Sequence, residues 1–334
     1  MMRHTAAPAF AAMLACVTTL AFGQPVAQIA PPAESPRYPS KPIRMVAPDA
    51  GSGNDVMLRI VVPALSANLG QQIIIDNRGG AGGAIAMQTV ARAQSDGYTL
   101  LSHGVAIWLL PFLRDKAPWD PLRDFAPITM TARVPNIIVV HPALSVQSVK
   151  ELIAWAKARP GELNYGVAGG TGGATHLAAE LFNSMANVNI VRINYKGAVP
   201  AIADLIGGRV QLMFPTASSV MPHIKAGRMK ALAVTTAQPS IVVPDLPTVS
   251  ATGLPGYESG GIYAMMAPAG TPSAVIELMN REMLRVLGGA EIREKLAGSG
   301  VEIVGSSPRE LTATMKSEMA RMGKVIRDAG IREE

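Results

Sequence analysis

At 334 residues, with 49% hydrophobic and 16% charged side chains, the chain is long enough for about two domains and apolar enough to bury a large core, which excludes a disordered protein. Aromatic residues make up only 4% and cysteine occurs once, at Cys16, which excludes a stacking platform for single-stranded nucleic acid, a disulfide framework and a cysteine-based zinc site. Thirty basic against twenty-four acidic residues give a net charge of +6, but they are scattered with no basic run of four, unlike the concentrated patch of a nucleic-acid binder.

The chain opens on Met1, Met2, Arg3 and His4, and an apolar run over 6–22 follows without an acidic residue. Ala21 and Gly23 place small residues where a signal peptidase reads, so cleavage is expected before Gln24. Residues 1–23 therefore read as a signal peptide and 24–37, rich in Pro and Ala, as a flexible tether. Met13-Leu14-Ala15-Cys16 faintly resembles a lipoprotein cleavage site, but the apolar run continues past Cys16. Broken by Pro8, Thr18 and Thr19, that run is short for a permanent membrane span. Cleavage leaves 29 basic against 24 acidic residues, or +5, and no cysteine. The expected location is the periplasm.

Strands and helices then alternate. A strand over 43–46 meets a turn cluster at 48–54. Leu58, Val61, Val62, Leu65 and Leu69 recur at helical spacing, and Gly70 closes that helix. Pro63 inside it should bend it. The strand over 73–75 is wholly apolar, as expected with both faces covered. A second glycine loop at 79–83, a helix over 84–93 and a strand over 98–101 complete a β-α-β-α-β unit, hence a parallel sheet with helices on both sides. A second such unit follows. It has a strand over 135–140, a helix opened by Ser148 and Glu151 as a capping box, and a strand over 164–168. A loop over 169–173, a helix over 175–185, a strand over 189–193, a helix over 200–206 and strands over 210–214 and 230–234 complete it. A strand over 261–267, a helix started by Pro272 and a last helix capped by Ser307 and Glu310 end the chain. The expected fold is α/β, with two lobes and a cleft between them: 38–133 begins lobe 1, 134–260 forms lobe 2, and 261–334 completes lobe 1.

The glycine loops carry the chemical signal. Gly51, Ser52, Gly53, Asn54 and Asp55 follow a strand and open a helix, where free N–H groups and the positive dipole end attract an anion. Gly169, Gly170, Thr171, Gly172 and Gly173 repeat the arrangement in the second unit. Ligands of open α/β sheets bind beyond the carboxyl ends of the strands, where both loops fall. One such loop alone is commonly a tight turn that binds nothing. Two at equivalent places in paired units favour binding. Val56 breaks the dinucleotide fingerprint, and no phosphate-binding Gly-Lys-Ser/Thr loop or Gly-x-Ser-x-Gly elbow occurs. His103, His141, His176 and His223 match no metal spacing, and no cofactor is implied. His176, just after the second glycine loop, reads as a helix-start hydrogen-bonding residue more readily than as a ligand contact. His103 has the better claim to the cleft, and Trp108 could wall it or belong to the core.

Longer motifs then carry a resemblance. Tyr38-Pro39-Ser40-Lys41-Pro42-Ile43-Arg44, Asp76-Asn77-Arg78-Gly79-Gly80-Ala81-Gly82-Gly83, Asp96-Gly97-Tyr98-Thr99-Leu100-Leu101 and the run from Asp120 to Ile128 resemble the Bug family, the periplasmic solute-binding receptors of tripartite tricarboxylate transporters. Leu163-Asn164-Tyr165-Gly166, Tyr195-Lys196-Gly197, Pro222-His223-Ile224-Lys225-Ala226-Gly227, Leu246-Pro247-Thr248-Val249 and Ala267-Pro268-Ala269-Gly270-Thr271-Pro272 extend it in consistent order over about 38–331. The resemblance implies a periplasmic-binding-protein fold of type II, a Venus flytrap, that closes over a small organic acid and delivers it to membrane permease subunits. It also implies a site made of Gly51, Ser52, Gly53, Asn54 and Asp55; of Ser102, His103 and Gly104 in the loop after the third strand; and of Gly170, Thr171, Gly172, Tyr195, Lys196, Pro215 and Thr216 in the second lobe. Main-chain N–H groups and water do most of the holding.

The chain departs from the family pattern where Asn54 replaces a common Thr, Val167 a common Ser, and Pro215-Thr216 a common Asp-Asn pair. The second lobe thus loses polar groups. A micromolar receptor needs only about 8 kcal/mol, within reach of a few charge-assisted hydrogen bonds at about 1.5–3 kcal/mol each, so binding survives the loss and a solute with an apolar or aromatic body is expected. Two alternatives differ in outcome rather than in fold: a receptor that presents its solute to a periplasmic sensor, or a hydrolase built on Asp55, His103 and Ser52. A cleft with few ionisable groups offers poor acid–base chemistry.

Overall fold

The computed structural model describes residues 38–114, 117–168, 172–328 and 330–332. The expected signal peptide and tether lie outside the described residues. The first elements are β1 (Ile43–Ala47), α1 (Gly53–Leu69), β2 (Ile73–Asn77), α2 (Ala84–Ala91), β3 (Thr99–His103), α3 (Ala106–Leu109) and β4 (Phe125–Val134). Next come β5 (Ile137–Val140), α4 (Val149–Ala158), β6 (Asn164–Ala168), α5 (Ala174–Ala186), β7 (Val191–Tyr195), α6 (Ala198–Ile206), β8 (Leu212–Met213), α7 (Ala217–Lys225), β9 (Lys230–Val234) and α8 (Val249–Thr252). The chain closes with β10 (Gly261–Pro268), α9 (Ser273–Gly288), α10 (Ala290–Gly298), β11 (Glu302–Ile303) and α11 (Pro308–Asp328).

Two mixed sheets organise these elements. The first has the order β11-β4-β10-β3-β1-β2 and the second β7-β6-β8-β5-β9. In the first, β1, β2 and β3 pair in parallel, as helical crossovers require, while β10 runs antiparallel between β3 and β4. In the second, β6 pairs in parallel with β7 and β8, and β5 is the reversed strand between β8 and β9. The strands that share a direction dominate both sheets.

Alternation along the strands divides the core. Met45, Leu100 and Met265 face Leu58 of α1 and Met279 of α9, while their neighbours Val46, Leu101 and Met266 face Met87 of α2, Trp108 of α3 and Met315 of α11. Trp108 is therefore core, not a wall of the cleft. The second sheet repeats the device, with Ile138 and Val140 against Leu152 and Phe182 on one face, and Ile137 and Val139 against Ile202 and Val220 on the other. This is the period-two consequence of side chains pointing alternately to opposite faces, and each fully buried aliphatic chain contributes about 1.5–3 kcal/mol.

Helix ends follow from local chemistry. The Ser52 hydroxyl accepts from Asp55 N at the start of α1, and Gly70 ends that helix in the left-handed region at φ 66°. Ser307 and Glu310 cap α11 reciprocally: Glu310 N donates to Ser307 Oγ at 3.2 Å and Ser307 N donates to Glu310 Oε2 at 2.8 Å.

Some expectations shift. β2 is an edge strand and Ile74 is 49% exposed, so its apolar run does not mark two covered faces. β3 extends to His103, which places Ser102 and His103 on the strand's last residues instead of in the following loop. β7 starts at Val191, so Tyr195 closes a strand. α3, β4, α7, α8, α10 and β11 are additional to the expected elements.

The chain passes between the sheets twice, and the crossings are tied together. Thr235 N donates to Asn136 O at 2.9 Å and Ser259 N donates to Thr235 O at 2.8 Å. The buried Thr235 hydroxyl lies 2.8 Å from Ser259 O and 3.1 Å from Asn136 O.

Candidate ligand-binding site

A cavity of about 120 Å³ lies between the loop ends of the two sheets. By the same measure one water needs about 10–15 Å³, so the space holds on the order of ten waters or one small organic molecule. Pro48, Asp49, Ser52, Gly53, Asn54, Gly83 and His103 border it from the first sheet, and Ala168, Gly173 to Thr175, Met213 and Thr216 from the second. Tyr263, on the reversed strand β10, completes the wall.

Five helices of eight residues or more begin at this cavity. Gly53 of α1, the cap residue Gly83 of α2, Gly173 and Ala174 at the start of α5, Ala198 of α6 and the cap residue Thr216 of α7 all line it. The first N–H groups of a helix have no intrahelical acceptor, and the dipole concentrates positive potential there. The ring of helix starts is thus an anion-attracting wall built without a basic side chain.

Two buried side chains add donors. Asn54 Oδ1 accepts from Ser102 Oγ at 3.0 Å, while its Nδ2 is buried without a partner. Gly104 N donates to His103 Nδ1 at 2.8 Å. The proton of the neutral ring therefore sits on Nε2, which is also buried and unpartnered. Burial pushes the His103 imidazole down to about 4, so it stays neutral at physiological pH. An unmet buried donor is costly, and both belong to residues on the cavity.

The two halves touch through a glycine. A Cβ on Gly53 would fall 2.2 Å from Ser218 Oγ and Tyr263 OH and 2.3 Å from Thr216 Oγ1. Only a residue without a side chain lets α1 approach α7 and β10 this closely.

Of the residues expected at the site, Ser52, Gly53, Asn54, His103, Gly104, Pro215 and Thr216 line the cavity. Gly51 donates instead to Asp55 Oδ2 at 2.9 Å. Asp55 is a brace: its carboxylate also accepts from Arg59 and Asn77. Burial pushes its pKa up, but these bonds outweigh that and hold it below the usual carboxylate range. Ser102 stands behind Asn54. Gly172 N donates to His176 Nδ1 at 3.1 Å, and His176 Nε2 lies 2.8 Å from an Arg192 nitrogen, so His176 serves the helix start. Tyr195 OH donates to Asp204 at 2.9 Å, and Lys196 is exposed and off the cavity. Gly169, Gly170 and Thr171 lie outside the described residues. Val167 is buried in the core, and its neighbour Ala168 reaches the cavity.

Asp49, Gly83, Ile202, Met213 and Tyr263 line the cavity without having been expected. Asp49 lay in the turn cluster ahead of the first glycine, where only its position pointed to it; Tyr263 becomes legible only once β10 is known to sit beside β3. The hydrolase arrangement does not assemble. Ser52 Oγ caps α1 by accepting from Asp55 N, His103 Nδ1 is engaged by Gly104, and among the described residues no hydrogen bond between two side chains links Ser52, His103 and Asp55. No cluster suited to a metal occurs among the described residues, nor does any helix there have the length and apolarity to cross a membrane.

Two α/β halves joined by paired crossings, with a cavity ringed by helix starts, define the periplasmic-binding-protein class. The model of the tripartite tricarboxylate transporter family receptor matches residues 57–331. Protein BugT of Bordetella pertussis is 35% identical over 311 residues, covering 91% of this chain and 94% of its own. An R. palustris protein solved with adipate superposes with a TM-score of 0.85 at 37% identity, over 88% of this chain and 99% of the other. MatC from Rhodopseudomonas palustris with bound malate gives 0.83 at 27% identity, over 86% and 100%. The chain belongs to the tripartite tricarboxylate transporter receptor family, the Bug-type periplasmic solute-binding receptors.

Proposed function

We propose that this chain captures a small organic carboxylate in the periplasm and hands it to the permease subunits of a tripartite tricarboxylate transporter, without changing it chemically. Residues 1–23 direct export and 24–37 tether the mature body. Lobe 1 comprises 38–133 and 261–334, lobe 2 comprises 134–260, and the solute is held between them. The observation that carries this reading is the meeting of five helix N-termini on one cavity. A carboxylate there accepts from main-chain N–H groups and from Asn54 Nδ2 and His103 Nε2. Adipate in the R. palustris relative and malate in MatC are solutes of this chemical kind.

The side chains of the second-sheet side set the solute's body. Ala168, Ala174, Ala198, Ile202, Met213 and Pro215 present aliphatic surface to the cavity, in keeping with the polar groups missing at Val167 and Pro215-Thr216. The solute therefore has an apolar middle.

Native mass spectrometry of the freshly purified mature protein, followed by a thermal-shift panel of carboxylates, tests the reading. A solute at a hundred times its Kd contributes about 2.7 kcal/mol of stability, or about 5 °C for a protein of this size. Chain-bearing carboxylates are expected to give such shifts. Stabilisation by short, highly polar diacids alone overturns the apolar middle. No carboxylate co-purifying and none stabilising overturns the whole reading.

A further inference from the structure

We propose that the solute carries a protonated amine as well as its carboxylate, and that Asp49 is the residue that recognises the amine. The inference rests on the carboxylate reading above and narrows it to a zwitterion.

Asp49 is the one residue with a formal charge at neutral pH among the described residues that line the cavity, since His103 is neutral there. It is half-buried. Gly80 N donates to Oδ1 at 3.2 Å, and no Lys or Arg pairs with the carboxylate among the described residues. The contrast with its neighbours is sharp. Asp55 is paired with Arg59, and Asp76 is held by both Arg44 and Arg78. Burial pushes the Asp49 pKa up, the Gly80 bond offsetting it in part, whereas the arginines hold Asp76 down against its own burial. A half-buried carboxylate without a counter-ion, on the wall of a ligand cavity, is a vacancy for a cation.

Asp49 is also held from both sides. Gly79 approaches so closely that a Cβ on it would fall 1.7 Å from Asp49 Oδ1, and Gly197, at the start of α6, lies against the Asp49 Cβ. The cavity is thus bipolar, with helix N-termini for a negative end and one fixed carboxylate for a positive end. A dicarboxylate would set its second charge near Asp49 with no basic side chain to compensate. An amino acid with an aliphatic spacer satisfies both ends and the apolar wall between them.

Isothermal titration calorimetry on the mature protein, dialysed free of co-purified solute, tests this with two series: 3-aminopropanoate to 6-aminohexanoate, and malonate to adipate. The best amino acid is expected to bind at least tenfold tighter than the diacid of equal carbon number. Asp49→Asn and Asp49→Ser remove the charge and keep an oxygen for Gly80 N–H. Each is expected to weaken the amino acid at least tenfold and to tighten the diacids, whose second carboxylate no longer meets a like charge. Diacids matching or beating the amino acids in the wild type overturn the zwitterion while leaving the carboxylate reading intact. Equal weakening of both series by both variants reduces Asp49 to a brace for the Gly80 turn and overturns its role. Binding of neither series by the wild type overturns this inference, and the carboxylate reading falls with it if the wider panel is silent as well.

Discussion

Gly53 concentrates the closure of the cavity into one missing methyl. Three hydroxyls, from Thr216, Ser218 and Tyr263, occupy the space a Cβ would need. Forcing atoms into a packed contact costs about 1–3 kcal/mol. In Gly53→Ala part of that cost falls on the closed arrangement, through Thr216 and Ser218, and part falls inside the first half, through Tyr263. The expected result is a Kd raised roughly ten- to hundredfold with a ligand-free melting temperature changed by only a few degrees. Calorimetry and a melt on the same sample check it; an unchanged Kd would show that α1 and α7 need not approach. His103 gives a second prediction, in pH. Its folded pKa, about 4, lies below the ordinary value of about 6.5, so between those limits the unfolded chain binds more protons. Stability is full above pH 6.5 and falls as the pH drops toward 4, by about 1.4 kcal/mol for each pH unit from this ring. His176, pushed down to about 3 by burial and by the nearby Arg192 charge, acts in the same direction. His103→Gln keeps a donor without a titrating ring and is expected to flatten part of the loss in urea titrations run from pH 7 to 4.5. At this scale the sequence was readable where chemistry is local. Ser52, Gly53 and Asn54 follow from a strand–turn–helix junction, and His103 from the end of β3. Asp49 was not readable, because its meaning depends on the absence of an arginine that neighbouring aspartates possess.

Elements were legible in proportion to how local their signals are. The serine caps at Ser148 and Ser307 announced α4 and α11 because the hydrogen bonds that build them span three residues. Ser307→Ala removes the acceptor for Glu310 N and is expected to cost about 1 kcal/mol, read as a lower urea midpoint with an unchanged slope. The cost is felt by the whole body, since α11 buries Leu311, Met315 and Met322 against β4 and α3. A midpoint that did not move would mean that the α11 start is held by packing alone. β4 hid for the opposite reason. Pro127 interrupts its pattern and sits at a register irregularity against β10, the kind of place where a strand tolerates proline. β11 is two residues long, too short for a period to show. The apolar first half of β2, Ile73 to Ile75, misled because hydrophobicity reports a preference for burial and not which edge of the sheet a strand will occupy.

Over the whole molecule, the two-lobed plan was legible from the order of strands and helices, but the closure of each sheet was not. β10 lies between β3 and β4 although more than a hundred residues separate it from either. No local pattern encodes that insertion; it follows from the chain having to return through the crossing before it can finish the first sheet. The returning segment makes the two crossings neighbours, and Thr235 is where they meet. Its hydroxyl hydrogen is shared between Ser259 O and Asn136 O, each on a different crossing. Thr235→Val keeps the shape and removes the donor. Ser259 O then loses its hydroxyl partner in a buried setting, a loss of about 1–3 kcal/mol. That loss should be felt where the halves pivot more than in either core. Amide exchange by mass spectrometry is expected to quicken at peptides covering 134–137 and 257–261 while those covering β1, β6 and α5 stay protected. Uniform quickening would mean that Thr235 supports the body as a whole, and no change would mean that backbone bonds alone set the pivot. The first outcome places solute capture under the control of a hinge distinct from the cavity, so that Thr235→Val alters how readily the halves close while leaving the groups that touch the solute intact.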